Sequence, residues 1–468
     1  MLLPNLFRRK TVSALQAEAA ADHSLRRALS ALSLTTLGIG AIIGTGIFVL
    51  TGTVAALHSG PAIVVSFAIA GLASVFAALC YAEFASLVPM AGSAYSYGYA
   101  TLGEVIAWII GWTLVLEYAL GAVTVAAGWS QHVVSFLHDI GLTVPAGFVN
   151  LPAVFLIAVL TALLVIGIKE ATTVNNLLVF VKVAVVLLVI VGAAHAVRPA
   201  NWDPFVPPQI VIDGTPARGS FGWSGVVTGA TMVFFSYIGF DAVSTAAQEA
   251  RNPQRDVPIG IIGSVCICTV LYILVAGIAT GVVRYSELNV PDPIGLVAER
   301  AGLGWIATLI KLGGIAALSS VVLVLLFGQS RVFYAMSRDG LLPAVVGSVH
   351  PRFRTPYVSS LVAGAAVALV VAFVPMAEIA GLVSIGTLLA FATVSIGVLV
   401  LRMREPHLPR PFKTPAVWFV APAGLISAFY LMGSVPALTW ARFAIWLGLG
   451  LAIYFSYGMY KSKLAGPL

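Results

Sequence analysis

The stretch Leu37-Gly38-Ile39-Gly40-Ala41-Ile42-Ile43-Gly44-Thr45-Gly46-Ile47-Phe48 sets four glycines inside an otherwise apolar run. Each glycine weakens a helix by about 1 kcal/mol relative to alanine, so four together predict a local unwinding. A second run, Phe234-Phe235-Ser236-Tyr237-Ile238-Gly239-Phe240-Asp241, carries a glycine and an acid in its middle. Unwound backbone inside a membrane must line a cavity or be buried in protein. Gly40 and Gly44 also form a small-xxx-small pair, which packs helices closely without any break. Gly44, Thr45 and Gly46 face different sides and are harder to explain by packing alone.

The surrounding chain says that these runs belong in a bilayer. Of 468 residues, 60% are hydrophobic and only 9% are charged, against roughly 25% charged in soluble domains. So few charges cannot cover a soluble surface of this size. About twelve runs are long enough to span as helices. They lie near 33–57, 62–87, 100–127, 150–168, 173–196, 221–247, 257–283, 303–334, 357–375, 379–401, 415–433 and 436–460. Barrel strands would be shorter and alternating, so the expected fold is an all-α polytopic membrane protein. Disorder, coiled coil and a disulfide scaffold are excluded. Cys80, Cys266 and Cys268 sit in apolar runs and read as buried small hydrophobes rather than metal ligands.

Orientation follows from lysine and arginine in the loops. With an N-terminus in the cytoplasm, eighteen of the 25 basic residues fall on the inner side, Arg331 and Arg410 among them. Five fall outside, and Lys182 and Lys311 lie within runs. Both termini are therefore expected in the cytoplasm, with an even number of spans. The net charge of +7 reads as loops facing anionic lipid, not as a nucleic-acid surface.

An ionisable group at a helix centre costs roughly 2.5–3.5 kcal/mol or more in lipid, so each needs a reason. Glu117, Lys182 and Asp241 lie deep in their runs. Glu83 lies near a helix end, where a loop amide is in reach, and Lys311 can extend to the outer surface. Burial disfavours an ammonium and a nearby carboxylate favours it, so Lys182 is a candidate proton carrier or one half of a permanent ion pair. Glu117 and Asp241 are its expected partners. Amide groups freed around Gly44, Thr45 and Gly46 at a half-helix N-terminus suit a carboxylate. Carbonyls freed around Ile42, Phe235 and Ile238 suit an ammonium. An α-amino acid carries both groups on one carbon, and a matched pair of broken helices in two halves of a chain is the sequence mark of a transporter site. No metalloprotease helix, P-loop or serine triad competes, so neither an enzyme nor a metal or cofactor is expected.

The Gly38–Phe48 stretch resembles the first-helix motif of the amino acid–polyamine–organocation superfamily. Tyr81-Ala82-Glu83-Phe84 through Tyr97 is similar to the segment between its second and third helices. Tyr237 through Glu249, followed by Asn252-Pro253-Gln254-Arg255-Asp256-Val257-Pro258, resembles its sixth helix and next loop. Gly328-Gln329-Ser330-Arg331 with Ser337 to Pro343 resembles the end of its eighth. Together they look like a bacterial member of the cationic amino acid transporter branch.

The resemblance implies a leucine-transporter-like fold. Residues 1–30 would be a cytoplasmic segment. Residues 31–401 would form a five-plus-five inverted repeat, helices 1–5 over about 33–196 and helices 6–10 over about 221–401, with helices 1 and 6 broken. Residues 402–468 would add helices 11 and 12. It implies a plasma-membrane importer of amino acids, coupled to protons, or an exchanger with the same site. Ile42, Ile43, Gly44, Thr45 and Gly46 would hold the substrate's carboxylate and amine. Phe235, Ser236 and Ile238 would complete the pocket, with Phe235 as a gate and Glu117 and Asp241 on its polar side. Lys182 would stand where sodium-coupled relatives bind their ion. Eukaryotic cationic carriers of this group often have fourteen spans, against twelve here. The apolar segment Leu323–Phe327 favours small neutral substrates over arginine. A small single-span membrane subunit would leave no mark in one chain.

Overall fold

The computed structural model describes residues 6–22, 24–44, 46–142, 149–212, 215–216, 219–373 and 380–464. Thr45 lies outside them. A surface helix α1 (Val12–Ala21) begins at Thr11, whose hydroxyl accepts from the Ala14 amide. The first apolar run forms α2 (Ala31–Ile42), capped by Ser30. It resumes as a π-helical turn (Gly46–Leu50), α3 (Thr51–Val54) and a second π-helical turn (Ala55–Ser59). There follow α4 (Ile63–Leu87), α5 (Ala94–Thr101), α6 (Glu104–Asp139), α7 (Leu151–Ile166) and α8 (Ile168–Ala193). A short ribbon, β1 (Val211–Ile212) against β2 (Thr215–Pro216), joins the two halves. The second half holds α9 (Gly222–Phe234), α10 (Ala242–Thr245), α11 (Pro253–Val282), α12 (Pro293–Arg300), α13 (Ala307–Arg338) and α14 (Tyr357–Phe373). Then come α15 (Ala380–Arg404), α16 (Val417–Gly433), α17 (Ala437–Ile453) and α18 (Met459–Lys461).

Every apolar run of the sequence is helical, and the first and sixth are interrupted where the glycines fall. Among the described residues, eight helices are long and apolar enough to cross a membrane. Ala31–Ile42, Leu151–Ile166, Tyr357–Phe373 and Val417–Gly433 are apolar but shorter. The core is built by α11 along α4 and α2, and by α13 along α6 and α8. The molecule is apolar outside and partly polar inside. Phe180 and Val191 on α8 are 72% and 73% exposed, while Lys182 between them is 0% exposed. Only an apolar solvent makes that arrangement favourable.

Three sequence expectations change here. Arg331 is no loop residue. It lies within α13, fully buried, and pairs with Glu249 at 2.9 Å. Arg410 is also buried, bonded to Glu83 beside Arg402. Part of the basic count on that side is therefore internal wiring and not lipid-facing charge. Cys266 is exposed on α11, because residues two apart on a helix face different ways, whereas Cys80 and Cys268 are buried. Glu83 does accept from a loop amide, that of Thr414 at 2.8 Å, and Lys311 pairs with Asp139 at a partly exposed position.

The two ends of the described chain meet. Arg8 donates to the Leu464 carbonyl. Lys10 pairs with Asp339 at 2.6 Å and Glu18 at 2.9 Å. Burial works against the Lys10 ammonium, but those two acids hold it above the ordinary lysine value.

Candidate functional site

Both breaks come from backbone that cannot continue as helix, and each releases polar groups that the fold then uses. At the first, α2 ends at Ile42, and Ile43 turns extended with φ −76° and ψ 100°. The Lys182 ammonium sits behind this end. It donates to the Gly40 carbonyl at 2.9 Å, to the Ile43 carbonyl at 2.9 Å and to Ser320 Oγ at 2.8 Å. Those are three acceptors for the three protons of an ammonium. Ser320 itself lies 3.1 Å from the Gly40 carbonyl. The expected pairing of Lys182 with Glu117 or Asp241 is thus replaced by one with backbone. A helix C-terminus presents unpaired carbonyls with partial negative charge, and a cation is satisfied there without a carboxylate.

At the second break, α9 gives way to a tight turn over Phe235–Tyr237, and Ile238 is extended. Gly239 has φ +109°, a left-handed conformation that favours glycine. A Cβ at Gly239 would also come within 2.9 Å of the Ala41 side chain, so the two breaks touch. The Tyr272 hydroxyl on α11 lies 2.8 Å from the Ile42 carbonyl and 3.0 Å from that of Ser236, joining one break to the other.

Between them lies a narrow cavity of about 40 Å³. Of the expected site residues, Ile42, Gly44, Gly46, Glu117, Phe235, Ser236 and Ile238 line it. Ala41, Gly121, Val125, Val321, Leu325 and Val383 complete the wall with apolar surface. Two polar atoms in this wall, Glu117 Oε2 and Ser236 Oγ, are buried without a hydrogen-bond partner. Buried polar atoms are seldom left so, and a polar occupant of the cavity would satisfy both. Glu117 Oε1 accepts from Thr387 at 2.6 Å, fixing the carboxylate against α15.

Three expected residues stand apart from that wall. Ile43 is buried and contributes its carbonyl to Lys182. Lys182 does not line the cavity and bonds instead to the end of α2. Asp241 is fully buried below the break and accepts from the Tyr118 hydroxyl at 2.5 Å. Thr45 lies outside the described residues.

Sequence reading missed Tyr118, Tyr272, Ser320, Val383 and Thr387. Ser319-Ser320 was a usable signal, being a hydroxyl pair in the middle of an apolar span. Tyr272, in the same way, is a lone hydroxyl in an apolar stretch of α11. Val383 and Thr387 carry no local signal. Only packing of α15 against α6 brings them to Glu117.

A helical membrane protein whose two interrupted helices close on one buried cavity has the build of a small-molecule carrier. The chain belongs to the amino acid permease family, whose model matches residues 29–453, within the amino acid–polyamine–organocation superfamily. It is 46% identical over 474 positions to the branched-chain amino acid permease BcaP of Bacillus subtilis, covering 98% of this chain and 99% of that one. It is 44% identical to the methylthioribose transporter of the same organism, covering 99% and 100%. It is 41% identical to the vacuolar cationic amino acid transporter 4 of Arabidopsis thaliana, covering 82% of this chain and 64% of the relative. Amino acid transport is thus the activity of the family to which it belongs.

Proposed function

We propose that this protein imports neutral L-amino acids with short aliphatic side chains, driven by protons, by alternating access across the plasma membrane. The reading takes residues 31–401 as a five-plus-five inverted repeat and 402–468 as two added helices, with twelve spans and both termini in the cytoplasm. The contact between Arg8 and Leu464 supports an even number of crossings.

The observation that carries the substrate reading is the composition of the cavity wall. Broken-helix backbone at Ile42, Gly44, Gly46 and Ile238 meets the α-carboxylate and α-amine, with Ser236 and Glu117 Oε2 as further partners. Val125, Val321, Leu325 and Val383 meet the side chain. Phe235 stands over the site as its gate. This wall agrees with the branched-chain permease among the relatives. A cationic side chain would have only Glu117 for a partner against four aliphatic neighbours.

The Lys182 ammonium supports the proton-coupled reading. A neutral amine has two N–H groups and a lone pair, so it can still donate to both carbonyls only if the Ser320 hydroxyl reverses and donates to it. Both carbonyls belong to the first broken helix. Loss of the proton therefore rearranges the hydrogen bonds at the element that holds substrate, because a reversed Ser320 no longer donates to the Gly40 carbonyl.

The test is uptake of radiolabelled leucine, valine and alanine into proteoliposomes, with and without an inward proton gradient. Arginine and methylthioribose serve as competitors. Gradient-dependent accumulation blocked by neutral amino acids is the expected result. Concentrative uptake that survives collapse of the gradient would refute symport and leave exchange through the same site. Competition by methylthioribose alone would refute the amino acid assignment.

A further inference from the structure

A groove at the end of the molecule that carries the N-terminus of α11 has no place in the transport reading. Its polar part encloses about 1050 Å³ between α1, the segment after α10 and the start of α11. Arg27, Arg251 and Arg255 line it and are exposed. Arg251 and Arg255 meet no acid among the described residues, and Arg27 donates only to the Ala19 carbonyl, at 3.1 Å. Arg410 also lines the groove, but its donors go to Glu83 and to backbone carbonyls, so it is not free to bind anything. No aspartate or glutamate lines this part. The nearest acid on α11, Asp256, is buried and accepts from the Asn252 amide.

The polar part runs without interruption into a second part of about 620 Å³, sharing Gln254, Arg255 and Pro411. That part is walled by Pro258, Ile259, Ile262, Gly263 and Phe412. Ile259 is 44% exposed, on the lipid-facing side of a membrane-crossing helix. From Arg255 to Ile262 the helix rises about 10 Å. That is more than the headgroup layer of one leaflet, about 5–8 Å, so the groove is long enough to reach from headgroups to hydrocarbon.

We infer that this groove binds one anionic glycerophospholipid, its phosphate among Arg27, Arg251 and Arg255 and an acyl chain along Ile259, Ile262 and Gly263. Two features favour lipid over a soluble phosphate. The cationic part opens directly onto apolar surface, and that surface faces the membrane. The groove is also bordered by Ala247 and Gln248, which follow the broken sixth helix, and by α1.

The full-length protein in detergent tests this by thermal shift, with phosphatidylglycerol and phosphatidylcholine of equal chain length as probes and glycerol 3-phosphate as the chainless control. Phosphatidylglycerol should stabilise, and the other two should not. The triple variant Arg27→Gln, Arg251→Gln, Arg255→Gln should weaken the apparent affinity roughly a hundredfold, at about fivefold per arginine. Gly263→Leu leaves every arginine in place. Its new Cβ would meet only Thr35, at 3.6 Å, so the helix tolerates it. The side chain then fills the apolar part, and the lipid response should fall while that to glycerol 3-phosphate stays absent. Equal stabilisation by phosphatidylcholine overturns the proposal, as does an unchanged response in the triple variant. A response to glycerol 3-phosphate equal to that of the lipid reassigns the groove to a soluble anion and overturns it too. Stabilisation by leucine, read in the same samples, reports on the transport site separately.

Discussion

Replacing Lys182 by methionine removes the ammonium and keeps most of the side chain's volume. Three hydrogen bonds disappear, to Gly40, Ile43 and Ser320. The Gly40 carbonyl keeps Ser320 as a donor. The Ile43 carbonyl is left alone, and an unsatisfied buried group costs about 1–3 kcal/mol. Against this, methionine is spared the burial of an amine. Net stability should thus change by no more than about 2 kcal/mol, and the variant should fold. Transport should change far more. One proton per substrate against a pH gradient of one unit supports about tenfold accumulation, because about 1.4 kcal/mol is a factor of ten. In the variant the ratio should fall to about one. The assay is steady-state leucine in proteoliposomes with an alkaline lumen, beside counterflow without a gradient. Retained counterflow with lost accumulation is the expected pair of results. Tenfold accumulation by Lys182→Met would refute the coupling role. Loss of counterflow as well would move Lys182 from coupling into substrate binding.

Gly46→Ala should abolish stabilisation by leucine in a thermal-shift assay, since its Cβ would fall 2.9 Å from the Ser236 Cα. Leu325→Ala should widen the cavity and shift competition toward longer side chains such as phenylalanine, read by inhibition of leucine uptake. Arg331→Met should lower unfolding stability by about 3–5 kcal/mol, because Glu249 is then a buried unpaired acid, and adding Glu249→Met should recover most of it. Lys10→Gln should loosen the N-terminal segment by removing both of its ion pairs, which faster limited proteolysis ahead of α1 would report.

The two breaks were legible because glycine is visible as a letter and its effect is local. The helical, membrane-spanning class was legible because hydrophobicity is likewise written residue by residue. The surroundings of Lys182 were not. A sequence advertises charged side chains, so Glu117 and Asp241 were the natural partners, whereas two of the three acceptors are backbone carbonyls at the point where α2 stops and the third is the Ser320 hydroxyl. Arg331 was misplaced by a related error. A basic residue near the end of an apolar run reads as a loop charge, and its burial depends on Glu249, some eighty positions away. Seven of the expected site residues converge on one cavity, but of the aliphatic wall opposite them, drawn from α6, α13 and α15, only the segment around Leu325 was legible.

Tyr272 has one hydroxyl proton and two carbonyls within reach, Ile42 in the first interrupted helix and Ser236 in the sixth. One proton cannot satisfy both in full. Any displacement that lengthens one contact lets the other take the whole bond, so the energy lost at one break is regained at the other. The phenol behaves as a differential between two shafts: it resists their parting together and gives little resistance when they turn against each other.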